Sequence, residues 1–194
     1  YWYDKGVRNF HLLIGFKGSI IKKYFGSSFR DGKIFYYSEK KLAGTGGALK
    51  MFLMKAKNFN QDENFLLMNG DTWLCVDVIK LIQDSEKNKN KITIAVYEMF
   101  LNSRYGTLNI KNNHILNILP FNEKKAFING GLYVLNANIL LEYLQKQIKY
   151  KFSFETDILP NLMKDKKVIA SFSINKFLDI GIPEDYIKTI DIVR

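Results

Sequence analysis

Cysteine is nearly absent from this chain of 194 residues, Cys75 being the only one. That excludes an intrachain disulfide and a cysteine-built zinc site, and it fits a reducing compartment such as the cytoplasm. Histidine is almost as scarce: His11 and His114 leave little room for a histidine metal centre. Only three prolines occur, and no tract is rich enough in Pro, Gly or Ser to read as a linker. With no repeat either, the length suits a single domain over residues 1–194. No apolar run approaches the ~18 residues of a membrane span and no signal peptide is present, so membrane insertion is not expected.

Arginine is the next shortage. Of 29 basic residues only Arg8, Arg30, Arg104 and Arg194 are arginines; the rest are lysines spread along the chain. The formal net charge of +10 would suit nucleic acid, a membrane surface or small polyanions such as nucleotides. Base reading and phosphate clamping on nucleic acids draw on the flat, bidentate guanidinium, so a nucleic-acid partner is not expected. Apolar residues at 47% exclude a disordered chain.

What is present is an alternation of apolar strands and helices. Phe10–Phe16, Phe65–Met68 and Ile92–Tyr97 are short apolar runs of the kind that fill strands buried on both faces. Helical spacing follows over Ile20–Phe25, with Ser19 as its N-cap, over Thr45–Ala56, with Leu49, Phe52 and Leu53 on one face, and over about Val76–Ser85. Lys33–Ser38 reads as a further strand. From Tyr105 to Leu135 three strands joined by polar turns read as a small β-meander inserted beside the sheet. Helices return at Asn138–Leu144 and Phe154–Met163, the second capped by Ser153. Late strands follow at Val168–Ile174 and Phe177–Ile180, and Pro183 opens a terminal helix. The pattern is that of an α/β fold with a parallel, helix-covered sheet.

Several clusters could carry chemistry. Gly44-Thr45-Gly46-Gly47 opens a helix, where glycines permit a sharp turn and close ligand approach, and free N–H groups favour anions. The spacing is neither the dinucleotide fingerprint nor the P-loop; a plain loop-to-helix turn is the alternative. Asn69-Gly70-Asp71 ends an apolar strand, the edge of an open α/β sheet at which ligands bind. A carboxylate there suits Mg²⁺, with an Asx-type turn closing the strand as the alternative, and Asp179 ends another short strand; if the two strands are neighbours, both could grip one ion. Asn129-Gly130-Gly131 lies within a strand, where glycines mark a bulge or a close ligand approach. Glu155 falls in a first helical turn, where an acid complements the helix dipole. Glu123-Lys124 is either a sugar- and phosphate-binding pair or solvated charge.

In this order, and with Arg104-Tyr105-Gly106 and Asp179-Ile180-Gly181-Ile182-Pro183-Glu184-Asp185-Tyr186 added, the clusters resemble the sugar-1-phosphate nucleotidyltransferases. The arrangement is nearest to bacterial guanylyltransferases acting on D-glycero-D-manno-heptose 1-phosphate. The resemblance covers about residues 40–186. It implies a Rossmann-like, mixed but mostly parallel sheet with helices on both faces, of the nucleotide-diphospho-sugar transferase type. It implies that Gly44, Thr45, Gly46, Gly47 and Gly70 face the nucleotide, and that Asp71 and Asp179 hold Mg²⁺. Gly106, Glu123, Asn129, Gly130 and Glu155 would contact the sugar, with Lys124 on its phosphate. The implied substrates are a nucleoside triphosphate, GTP above all, and a sugar 1-phosphate; self-association is left open.

The family's Gly-Gly-x-Gly-Thr-Arg-Leu loop and its Pro-Lys pair do not occur here, and Tyr1–Phe10 reads as the helix that follows them. The first strand and the phosphate loop, roughly 40 residues by family proportion, are therefore expected to be missing. Two other classes stay open: an inactive homologue that binds sugar phosphate or a partner, and a metal-dependent glycosyltransferase of similar α/β design.

Overall fold

Apolar runs bounded by turn residues become strands throughout the computed structural model, which describes residues 1–39, 41–56, 62–89, 91–100, 105–120, 125–181 and 185–187. The chain divides into two compact units, Tyr1–Asn60 with Leu141–Leu159, and Gln61–Leu140 with Pro160–Arg194.

In the first unit, β1 (Asn9–Ile14), β2 (Ser28–Phe29) and β3 (Gly32–Ser38) form a sheet of order β1-β3-β2. β1 and β3 are parallel, with Phe10 opposite Ile34 and Leu12 opposite Tyr36. Helix α1 (Gly18–Phe25) connects β1 to β2. Its N-cap is Lys17 in a left-handed conformation with no side-chain cap bond, so Ser19 lies inside the first turn and does not cap it. Residues 2–6 form turns and not a helix: Lys5 N–H donates to Tyr1 O and Gly6 N–H to Tyr3 O, and Gly6 at φ +97° ends any helical continuation. Helix α2 (Gly44–Lys55) buries Leu49, Phe52 and Leu53, the face read from the sequence.

The second unit is built on a six-stranded sheet of order β4-β9-β6-β10-β8-β7. Its strands are β4 (Asn64–Met68), β6 (Ile92–Phe100), β7 (Thr107–Lys111), β8 (His114–Leu119), β9 (Lys125–Asn136) and β10 (Val168–Ser171). A separate ribbon pairs β5 (Thr72–Val76) with β11 (Ile174–Asp179). Helix α3 (Val78–Lys87) starts at Asp77, whose side chain accepts the Lys80 N–H. It packs on β6 and β10, where Ser171 Oγ donates to Asp84 Oδ2 at 2.7 Å. Ile92, Ile94, Ile115, Ile128, Leu132, Leu135 and Val168 are fully buried and form the unit's core.

The mixed α/β class stands, but strand direction and order differ from the sequence reading. Only β1·β3 and β6·β10 pair in parallel; the other six pairings among the described residues are antiparallel. The strands read as an appended meander belong to the main sheet, with β9 running between β4 and β6. An apolar run reports that a strand packs, not which way its neighbours point. Among the described residues β4 lies at one end of its sheet, with Leu66 and Met68 exposed, and β1 at one end of its own. Thr72–Val76 forms β5, and the helix read from about Val76 begins at Val78. The late apolar stretch breaks at 172–173 into β10 and β11. Pro183 lies outside the described residues.

Candidate functional site

In the second unit, the candidate residues lie just after β4, at a bulge within β9 and at the end of β11. Asp71 follows β4 and precedes β5, and Asp179 ends β11; β5 and β11 pair with Asp179 opposite Thr72. The pairing continues one residue beyond the ribbon, where Ile180 N–H donates to Asp71 O at 2.9 Å. The two acids are thus one register step apart at adjoining strand ends. Both reach the space beside Gly181: a β-carbon there would lie 3.0 Å from Asp179 Oδ1 and 3.7 Å from Asp71 Oδ2.

Hydrogen bonds orient the two acids differently. Asp179 Oδ1 accepts Gly181 N–H at 2.8 Å, and Oδ2 accepts the Tyr105 hydroxyl at 2.5 Å. Asp71 is exposed and has only a long 3.5 Å contact from Thr72 Oγ1 to its Oδ1, so Oδ2 takes no hydrogen bond among the described residues. No group of three or more His, Cys, Asp or Glu side chains gathers among the described residues. Two accessible carboxylates suit a hard cation that keeps part of its water shell, as Mg²⁺ does.

Beside this pair runs the Asn129-Gly130-Gly131 segment of β9. The register against β6 jumps between Ala95 and Val96, which face Leu132 and Asn129, leaving the two glycines as the extra residues of a bulge. Glycine is required here. A β-carbon on Gly130 would stand 2.1 Å from Ile174 Cδ1 and 2.8 Å from Ala95 O, and Gly131 takes φ +71° against the Asn69 side chain. Of the two readings of glycine in a strand, the bulge holds, and the close approach seen here is to the protein's own residues. Asn129 is held at both ends: Nδ2 donates to Tyr133 Oη at 2.8 Å and Oδ1 accepts Gly131 N–H at 2.9 Å. Gly106 follows Tyr105 with its bare α-carbon against Ile118. Gly70 has nothing within 4 Å of a would-be β-carbon.

In the first unit, the glycine cluster and Glu155 form a second constellation. Segment 152–154 docks on the start of α2, with Phe152 N–H donating to Ala43 O and Gly46 N–H to Phe152 O. Gly46 and Gly47 are buried, and their bare α-carbons face the Phe152 ring and the Ala43 methyl. Gly44 and Thr45 are more accessible. Thr45 Oγ1 accepts Phe154 N–H at 2.9 Å and donates to Glu155 Oε2 at 2.7 Å. Ser153 caps the single-turn π-helix Phe154–Ile158 through Glu155 and Thr156 N–H, and its hydroxyl also donates to Glu155 Oε2, at 2.9 Å. Glu155 Oε1 takes no hydrogen bond among the described residues, so a fixed carboxylate keeps one oxygen for a ligand. π-Turns of this kind recur at functional sites. Glu123 and Lys124 lie outside the described residues.

Thus Asn69–Asp71, Tyr105-Gly106, Asn129–Gly131 and Asp179–Gly181 gather in one unit, and Gly44–Gly47 with Glu155 in the other. Tyr105 carries no local signal of its own, since in the Arg-Tyr-Gly triplet only the glycine has a conformational signature. Phe152 likewise has no sequence signal beyond being aromatic and close to Glu155.

A sequence profile described as "Nucleotidyl transferase" matches residues 14–194. The chain belongs to that family. This nucleotidyl transferase is 36% identical over 190 residues to a D-glycero-alpha-D-manno-heptose 1-phosphate guanylyltransferase of Campylobacter jejuni, covering 96% of the chain and 79% of the relative. Its identity to the enzyme of that name from Aneurinibacillus thermoaerophilus is 34% over 194 residues, covering 97% and 80%. A crystal structure of HddC from Yersinia pseudotuberculosis, complexed with GMP-PN, superposes with a TM-score of 0.77 at 29% identity, over 100% of this chain and 82% of that one. No described helix is long and apolar enough to cross a membrane.

Proposed function

We propose that the protein transfers a guanylyl group from GTP to a heptose 1-phosphate, D-glycero-D-manno-heptose 1-phosphate being the substrate its relatives' names suggest. A phosphate oxygen of the sugar 1-phosphate attacks the α-phosphorus of GTP in line. The new P–O bond forms as the bond from the α-phosphorus to the bridging oxygen breaks, and pyrophosphate leaves with that oxygen. The products are a GDP-sugar and pyrophosphate, the sugar nucleotide serving surface polysaccharide synthesis in the cytoplasm.

The observation that carries the catalytic half of this reading is the placement of Asp71 beside Asp179 on paired strands. The family generally uses a divalent metal, and these two carboxylates fit Mg²⁺. When bound, the cation supplies neutralisation of phosphate charge. The chain's own residues bind and orient. Asp71, with an oxygen unbonded to protein, is the open ligand, and Asp179, held from two sides, is the rigid one. Gly44 and Thr45 face the nucleotide, Gly46 and Gly47 let the Phe152 segment dock beneath them, and Gly70 leaves the strand end open. The family pattern assigns Gly106, Glu123, Asn129 and Gly130 of the second unit to the sugar and Lys124 to its phosphate, and it assigns Glu155 of the first unit a sugar-binding role. Such chemistry depends on positioning and charge neutralisation more than on covalent catalysis.

The test is pyrophosphate release by the protein in its full natural reading frame, with GTP, heptose 1-phosphate and Mg²⁺. The expected result is release that needs all three components and falls when ATP, CTP or UTP replaces GTP. No release with any pairing of nucleotide and sugar phosphate would refute the proposal.

A further inference from the structure

We propose that Tyr105 is a positioning residue that fixes the Asp179 carboxylate for a divalent cation; this rests on the metal reading of Asp71 and Asp179 given above. Three observations support it. The Tyr105 hydroxyl donates to Asp179 Oδ2 at 2.5 Å, a short contact of the kind made to an ionised acceptor. The other oxygen, Oδ1, is already taken by Gly181 N–H at 2.8 Å. Two donors on two different oxygens define the plane of the carboxylate, where one alone would leave it free to rotate. Finally, the phenol is itself held. Its ring meets Phe177 edge-on at 5.7 Å, and Phe177 in turn stacks on Tyr97 at 5.6 Å.

The chemistry of the donor matters. A lysine or arginine in this place would bring a positive charge against the incoming cation and neutralise a carboxylate meant to hold it. A phenol is an uncharged donor, so it orients the acid without competing for the site. Each carboxylate oxygen has more than one lone-pair direction, and Asp179 can accept the phenol and still face the cation. This is the way outer residues aim metal ligands, and removing such a partner typically weakens metal affinity ~10–100-fold. Phe177 lies two residues before Asp179 on β11, so the strand that carries the acid also carries the ring that steadies its partner.

Tyr105→Phe removes the hydroxyl and keeps the ring on Phe177. Mn²⁺ alone is the probe, titrated against wild type, Tyr105→Phe, Asp71→Asn and Asp179→Asn, with free ion followed by electron paramagnetic resonance. The expected result is loss of the bound-ion signal in both Asn variants and roughly tenfold weaker binding in Tyr105→Phe. In turnover, the Mg²⁺ concentration giving half-maximal rate should rise in Tyr105→Phe, while the rate at saturating Mg²⁺ recovers. A merely structural tyrosine would not move the metal dependence in this way. Unchanged Mn²⁺ binding in Tyr105→Phe, with both Asn variants defective, would overturn the role of Tyr105. Wild-type Mn²⁺ binding in both Asn variants would instead overturn the metal reading beneath it. Should Tyr105→Phe melt early, Phe177→Leu loosens the ring and leaves the phenol in place. It should weaken Mn²⁺ binding by a smaller factor, and an unchanged affinity there also counts against the proposal.

Discussion

Gly44→Ala should destabilise the first unit far more than an ordinary surface change, for two reasons read from one residue. Gly44 takes φ +77°, where an L side chain costs roughly 1–2 kcal/mol. Its β-carbon would also stand 2.4 Å from Phe152 O, a backbone atom that cannot swing aside. Relief requires the 152–154 segment to move off the start of α2. That motion strains the bonds from Phe152 N–H to Ala43 O and from Gly46 N–H to Phe152 O, at 2.9 and 3.1 Å. Each is worth about 0.5–1.5 kcal/mol net. Together the effects come to about 2–5 kcal/mol, a fall in melting temperature of roughly 4–20 °C for a chain of this size. Gly70→Ala is the control, since its β-carbon meets nothing within 4 Å; it should stay within about 0.5 kcal/mol. Urea denaturation of the three proteins, followed by circular dichroism, measures the difference. If Gly44→Ala and Gly70→Ala were equally stable, the docking of Phe152 on the glycine loop would be wrong.

Asp71→Asn and Asp179→Asn should each lower kcat by roughly 100-fold or more at fixed Mg²⁺, with little change in melting temperature, because both acids are accessible and lie at strand ends; near-normal rates in either would contradict their role. Thr45→Val leaves the Phe154 N–H without its acceptor and Glu155 without one of its two donors, whereas Thr45→Ser keeps both bonds. The valine variant should raise KM for the sugar phosphate about tenfold and the serine variant should not, as steady-state kinetics would tell. His11 is wedged against Phe35, Tyr37 and Phe52, and burial lowers its pKa below the usual 6.5. A folded-state pKa below the unfolded one means that stability is fully present above about pH 6.5 and is lost as pH falls through the lowered value. Denaturation at pH 7.5 and 5.0 should show that loss, and His11→Phe should flatten it.

Much of the fold was legible because local patterns report local facts. The buried face of α2 at Leu49, Phe52 and Leu53 follows from helical spacing, and the bulge at Gly130-Gly131 from two glycines inside a strand. Ser153 as a cap could be read from its place before Phe154. Strand direction and neighbour order were not legible, since the same apolar residues fill a strand whichever way its partners run. Ser19 failed as a cap because Lys17, in a left-handed turn, begins α1 earlier than side-chain chemistry suggests.

The sequence by itself determined which residues could do chemistry: acids beside glycines at strand ends, a glycine turn opening a helix, an acid in a first helical turn. Only the tertiary structure decided which of them meet. Asp71 and Asp179 became a pair because β5 and β11 align in one register, with Thr72 opposite Asp179. Thr45 and Glu155, 110 positions apart, became one hydrogen-bonded unit because Phe152 packs into the space that Gly46 leaves open. Register and close packing are properties of pairs distant in the chain, so neither is written in the local run of residues that each member belongs to.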